Sequence, residues 1–333
     1  MSIKYIPRKE DTMGNTVAAK KIKDALVGPV VAMTTTFNRD YSLDLGGMKA
    51  LTDLYIDGGI KNVIVAGSTG EFFSMTDAER MLAIKAVVER SGGRMTVVGC
   101  AAHSGTQIAI NLAKQCKDVG CDGIMVTPPY YSFSGVEGML NHFRMISDAV
   151  DLGIVGYFSG SVLRFPVIGG MVSEEWHCPQ AMLDIAAIPN VGAFKDASGN
   201  YGWHRDIVRA LDGPDGEAAV MGSDGMGYHL WGHQYGSRCY LTGLGNVWPK
   251  IEVEFFDRLG TGDTNSALEI VNTYELDYLN VTKATGRYWS CLKFFLDELG
   301  LPGGPMRPPL LDCDEKDKAN LLAFAEGAGL LPA

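Results

Sequence analysis

One pattern limits this chain more than any other. Short apolar runs of four to seven residues alternate with longer amphipathic stretches, and the pair recurs eight times. The runs are Val27–Met33, Val63–Gly67, Met95–Ala101, Gly123–Thr127, Ile154–Phe158, Val191–Lys195, Ala219–Gly222 and Arg238–Thr242. They are rich in β-branched residues and lack strict apolar–polar alternation, as strands buried on both faces of a parallel sheet do. The helical stretches between and after them are Leu45–Asp57, Asp77–Ser91, Thr106–Val119, Val136–Val150, Glu174–Ala187, Trp203–Leu211, Met226–Tyr235 and Lys250–Leu259. Thr76 with Glu79 has the spacing of a capping box, and Ser173 before Glu174 and Glu175 favours a helix start. Eight β–α pairs in succession predict a TIM (β/α)8 barrel. A doubly wound sheet is the competing architecture, but the chain has no G-x-x-x-x-G-K-[ST] and no G-x-G-x-x-G at a strand end.

The 333 residues suit one barrel plus an appendage as well as two domains. The expected division is a polar lead-in over residues 1–26, a barrel over 27–260 and a helical C-terminal region over 261–333. Within that last region, Ser266–Leu279, Arg287–Leu299 and Glu315–Gly327 read as helices, with the rigid loop Gly300–Pro309 between the last two.

The charge balance, 29 Lys and Arg against 39 Asp and Glu for a net of −10, argues against nucleic acid as a partner, since phosphate binding needs a basic footprint. The seven cysteines are odd in number and form no C-x-x-C. That points to reduced thiols in a cytoplasmic protein. The N-terminus has no apolar core of a signal peptide, and no apolar run reaches 18 residues, so no membrane association is expected.

A (β/α)8 barrel carries its active site at the C-terminal ends of its strands. There the sixth run closes on Lys195, a lysine in an otherwise apolar segment. An amine drawn out of water favours its neutral form and can attack a ketone to give a Schiff base. The protonated imine then acts as an electron sink for C–C cleavage or proton loss at the adjacent carbon. A strand-end lysine reaching to solvent is the plainer alternative. Tyr157 ends the preceding run, so its phenol could shuttle protons beside that amine; a core tyrosine satisfied by the backbone is the other reading. Ser68, Thr69 and Gly70 form a small-residue turn whose hydroxyls and N–H groups suit a carboxylate, or they are an ordinary strand-to-helix turn. His229 and His233 stand four apart, a spacing that can bind a metal, but no third ligand is evident and no metal or other cofactor is expected.

Three segments together resemble the dihydrodipicolinate synthase / N-acetylneuraminate lyase family of class I aldolases: Gly67-Ser68-Thr69-Gly70-Glu71, Thr127-Pro128-Pro129-Tyr130-Tyr131, and Phe194-Lys195-Asp196-Ala197-Ser198-Gly199. Their order and spacing match from about Val27 to Leu311. The resemblance implies a TIM barrel with a helical C-terminal region, assembled as a homotetramer. It implies Lys195 as the residue that forms the imine with pyruvate or another 2-keto acid, Tyr157 as proton relay, Ser68 and Thr69 as carboxylate binders and relay partner, and Tyr131 as a tyrosine reaching across a subunit interface. One departure bears on substrate. The family's synthases carry an arginine five residues after the tyrosine, for the second substrate's carboxylate; here that position is Val162, with Arg164 the nearest arginine. Phe158 stands where the family has asparagine, which suggests a more apolar pocket. Gly70-Glu71-Phe72-Phe73-Ser74 and Gly304-Pro305-Met306-Arg307-Pro308-Pro309-Leu310 resemble the sugar-acid dehydratase branch. The leading expectation is therefore a lyase acting on a 2-keto or 2-keto-3-deoxy acid by cleavage, condensation or dehydration. True 4-hydroxy-tetrahydrodipicolinate synthase activity and a non-catalytic 2-keto-acid-binding barrel are the alternatives.

Overall fold

A computed structural model describes residues 16–131, 135–159, 179–212 and 216–331. Eight parallel strands close on themselves in sequence order: β1 (Gly28–Ala32), β2 (Asn62–Val65), β3 (Thr96–Cys100), β4 (Gly123–Val126), β5 (Gly153–Ser159), β6 (Val191–Ala197), β7 (Ala219–Gly222) and β8 (Cys239–Thr242). Each falls on one of the eight apolar runs. The expected (β/α)8 barrel is the fold, and the open doubly wound sheet is excluded by the β1–β8 pairing.

A short helix, α1 (Val17–Ala25), precedes the barrel. The outer helices are α2 (Leu45–Asp57), α3 (Asp77–Ser91), α4 (Thr106–Asp118), α5 (Gly135–Ala149), α6 (Pro179–Ala186), α7 (Tyr201–Leu211), α8 (Gly225–His233) and α9 (Pro249–Gly260). Thr76 and Glu79 do form the capping box of α3. The helix start proposed at Ser173 to Glu175 lies outside the described residues. The C-terminal region is α10 (Thr264–Ile270), a π-helical turn (Val271–Glu275), α11 (Leu276–Thr285), α12 (Tyr288–Glu298) and α13 (Glu315–Gly327).

From Thr16 onward the expected polar lead-in contains the packed helix α1. Thr16 caps α1 by accepting from the Ala19 N–H, and Ile22 and Leu26 are fully buried in the cluster that fills the barrel. The helix closes the floor of the barrel. A Cβ on Gly123 would stand 2.8 Å from Ile22 Cδ1, and one on Gly192 would stand 2.7 Å from Ile22 Cγ2. Lys20, Lys21, Lys23 and Asp24 make the segment look polar, because only one narrow stripe of so short a helix has to be apolar.

Two apolar layers result. Side chains such as Val30, Ile64, Val98, Met125, Val155 and Met221 point into the barrel. Their strand neighbours, among them Val31, Val63, Val97, Ile124 and Phe194, point out against the helices. Apart from Thr96 and Ala197, the strand positions with described burial are thus buried on one side or the other, which is why no polar alternation shows in the sequence. Among the described residues no helix is long and apolar enough to cross a membrane, and the six described cysteines are buried and unbridged.

Candidate active site

The geometry at the mouth of the barrel depends on one irregularity. Strands β5 and β6 begin with Ile154 opposite Val191, but the next pair is Val155 opposite Ala193. Gly192 is the extra residue of this bulge. Without it Tyr157 would lie beside Phe194, and a one-residue slip in a strand sends a side chain to the other face. With it, Tyr157 pairs with Lys195 and both point into the barrel. Glycine is required at the bulge, since α1 presses against it and leaves no room for a Cβ.

Lys195 is 4% exposed and Tyr157 is 7% exposed. The Lys195 Nζ lies over the Tyr157 ring, 3.8 Å from its centroid. Among the described residues no carboxylate pairs with that amine. A cation at this position, an ammonium or a protonated imine, is attracted to the ring face. The next residue, Asp196, points the other way. Its carboxylate accepts from the Ser198 N–H at 3.0 Å and lies 3.0 Å from His204 Nδ1 on α7. That buried pair anchors the end of β6 to the helix layer and so fixes where Lys195 emerges.

Phe158 corrects an expectation. It was expected to make the pocket more apolar, but alternation along β5 turns it outward, where it packs on Phe143 and Phe194 at centroid distances of 6.4 and 6.2 Å. Val162 and Arg164 lie outside the described residues.

Across the mouth from β6, β2 leads into the turn Gly67–Glu71. Ser68 and Thr69 sit at its apex with hydroxyls that have no partner among the described residues. The Gly70 carbonyl accepts from Thr35 Oγ1 at 2.8 Å, and a Cβ on Gly70 would stand 2.8 Å from the Met33 carbonyl oxygen. Glycine therefore lets the turn lie flat on the end of β1. Both ends of the turn are strained: Ala66 and Glu71 have φ of 54° and 56°, the left-handed region that side chains avoid. Beyond the turn, Phe72 packs on the barrel-filling cluster that contains Tyr157 and edge-on against Tyr130.

Tyr131 is not brought to Lys195 within the single chain. It is 82% exposed on the loop after β4. His229 is buried and stacked on Tyr240 at 4.6 Å, and burial pushes its pKa down to about 3. His233 lies 5.7 Å away, and among the described residues no group of three His, Cys, Asp or Glu could hold a metal ion.

Reading along the chain missed the supports of this site. Arg80 is buried beneath Phe72 and donates to the carbonyls of Cys100 and Ala102 at 2.6 and 3.2 Å, pinning the end of β3. Glu275, in the π-helical turn, accepts from the Met226 and Gly227 N–H groups at 2.5 and 2.6 Å. It does for the start of α8 what its own N-cap, Asp224, does not. Neither partner pair has a local spacing from which to be found.

Known proteins resemble this chain over most of its length. The model of the dihydrodipicolinate synthetase family matches residues 25–327. The chain belongs to that family. A 4-hydroxy-tetrahydrodipicolinate synthase of Leptothrix cholodnii is 30% identical over 306 residues, covering 92% of this chain and 99% of that protein. An uncharacterised DapA-like lyase of Rhizobium meliloti is 30% identical over 292 residues, covering 86% and 91%. The crystal structure of dihydrodipicolinate synthase from Aquifex aeolicus superposes with a TM-score of 0.80 at 25% identity, covering 91% and 98%. The chain is thus a member of an aldolase and lyase family that works on small keto acids.

Proposed function

We propose that this protein is a class I lyase in which Lys195 forms a Schiff base with a 2-keto acid. The observation that carries the reading is the buried Lys195 amine, held without a carboxylate 3.8 Å over the Tyr157 ring. Attack of Nζ on the substrate ketone and loss of water give the imine. Its protonated form keeps the attraction to the ring face and draws electrons from the bond to be broken. The Tyr157 hydroxyl moves protons to and from the carbinolamine. Ser68, Thr69 and the Gly70 turn receive the keto-acid carboxylate through hydroxyls and backbone N–H groups.

For the second half of the reaction we propose cleavage or dehydration of a 2-keto-3-deoxy acid. Val162, where a synthase arginine is expected, offers a second carboxylate no charge. The names of curated relatives favour the competing reading, condensation of pyruvate with aspartate semialdehyde. The working form is proposed to be a homotetramer, in which the exposed Tyr131 would meet a neighbouring chain; a fully active monomer in sedimentation would exclude it.

Borohydride reduction in the presence of pyruvate tests the imine. A stable adduct mapped by mass spectrometry to Lys195 is expected, and a folded protein that gives none would overturn the assignment. A turnover screen over 2-keto-3-deoxy acids, N-acetylneuraminate and the synthase pair then separates the two second halves. A protein that binds the keto acid without any turnover would be a sensor.

A further inference from the structure

Two motifs, Gly70-Glu71-Phe72-Phe73-Ser74 and Gly304–Leu310, have no part in the chemistry above beyond the Gly70 turn, yet they meet. Glu71 is fully buried. Its Oε1 accepts from Lys293 Nζ at 2.5 Å and its Oε2 from the Arg307 N–H at 3.0 Å. Lys293, on α12, also donates to the Pro305 carbonyl at 2.8 Å. The Arg307 guanidinium grips Glu79 through two bonds of 2.5 and 3.0 Å and reaches the carbonyls of Ser74 and Tyr41. Both cations lie on the Phe37 ring, 4.6 and 4.1 Å from its centroid. The loop carrying Arg307 approaches so closely that a Cβ on Gly303 would stand 2.8 Å from the Asp297 carboxylate.

The clamp closes on a strained element. Glu71 is itself one of the two left-handed residues that bound the Ser68–Thr69 turn. Strain of this kind persists only where its surroundings hold it, and it gathers at functional sites. Here the holding groups come from the C-terminal region, 222 and 236 residues away in sequence.

We propose that Glu71, Lys293 and Arg307 are positioning residues for the 2-keto-acid carboxylate. The C-terminal region holds the Gly67–Glu71 turn in its strained form so that Ser68 and Thr69 face the substrate across the mouth from Lys195. The inference rests on the Schiff-base reading of Lys195. The clamp touches no substrate, so its loss should weaken capture of the keto acid without removing the nucleophile.

The test is the pyruvate dependence of borohydride trapping at Lys195. In the double variant Glu71→Gln with Lys293→Met, both buried charges go together, so neither is left unpaired. Full trapping at saturating pyruvate is expected, with the half-saturating concentration raised about tenfold or more. Arg307→Gln, whose side chain is partly exposed, should raise it less, and Arg307→Lys should recover part of the loss. A merely structural role would lower the melting temperature and leave half-saturation unchanged. A folded double variant with wild-type half-saturation overturns the proposal; should it not fold, wild-type half-saturation in Arg307→Gln overturns it. Absence of an adduct in the wild-type protein would remove the imine reading and this inference with it, whereas trapping with unmoved half-saturation removes this inference alone.

Discussion

Two lysines are buried near the mouth of this barrel, Lys195 at 4% and Lys293 at 2% exposure, and they differ in what surrounds them. Lys293 has a carboxylate at 2.5 Å, a carbonyl at 2.8 Å and the Phe37 ring. Burial pulls the pKa of its amine down, and Glu71 pulls it back up. Lys195 has only the Tyr157 ring among the described residues. A buried ammonium given a carboxylate and a carbonyl is committed to the fold; a buried amine given no counterion is left for a substrate to meet. The partner a buried charge is given decides its use here, and each expectation below tests that contrast.

The largest effect should come from Lys195→Met. Turnover is expected to fall to background, because no other amine among the described residues stands over Tyr157, while the denaturant midpoint stays level or rises as an unpaired polar group leaves the core. Retained turnover in a steady-state assay would show that the nucleophile lies elsewhere. Tyr157→Phe keeps the ring under the amine and removes only the hydroxyl. A slowing of roughly 10²–10⁴ is expected from loss of a positioned proton carrier, with the Lys195 adduct still trappable; an unchanged kcat would leave the ring face as the residue's whole contribution. Lys293→Met is the mirror of the first change. It strands the Glu71 carboxylate in the core, which costs about 3–5 kcal/mol, read as a lowered midpoint in urea. Equal stabilities for the two methionine variants would erase the distinction between the lysines.

That distinction was only half visible along the chain. Lys195 could be found because it interrupts an apolar run, and Tyr157 because it ends the neighbouring one. Their juxtaposition could not, since it depends on the Gly192 bulge, and a bulge adds one residue to a strand without changing its composition. The same limit misled the reading of Phe158, which points out of the barrel because β5 alternates there. The eight strands were recoverable because each is a compact apolar block. Helix α1 was not, since two buried side chains, Ala19 and Ile22, are all it offers the barrel. Lys293 and Glu71 read as ordinary charges in a helix and a turn until the fold joins them across 222 residues.

Glu275 offers the finest form of the comparison, a buried carboxylate given amides in place of a cation. Its two bonds to the start of α8 favour the ionised form, but burial outweighs them and the nearby Glu252 adds repulsion, so its pKa rises from 4.5 to about 8. Glu252, bonded to Tyr240 and Thr242, is pushed up to about 7, mainly by burial. In the unfolded chain both return to the ordinary carboxylate range. Between about pH 4.5 and 8 these two groups therefore hold more protons in the folded protein than in the unfolded one. Their contribution to stability falls as pH rises through that window, and levels off once they have ionised. His229 and His142, which burial pushes down to about 3 and about 4, act in the opposite sense below about pH 6.5, so the carboxylate contribution is read as the difference between wild type and variant in melting temperatures from pH 5 to 9. Glu275→Gln keeps an oxygen for one α8 amide and cannot ionise, so its melting temperature should fall less with pH than the wild type's. Parallel curves for Glu275→Gln and the wild type would mean that the amides of α8 stabilise the charge as well as a lysine does, and the contrast between paired and unpaired groups would not extend to carboxylates.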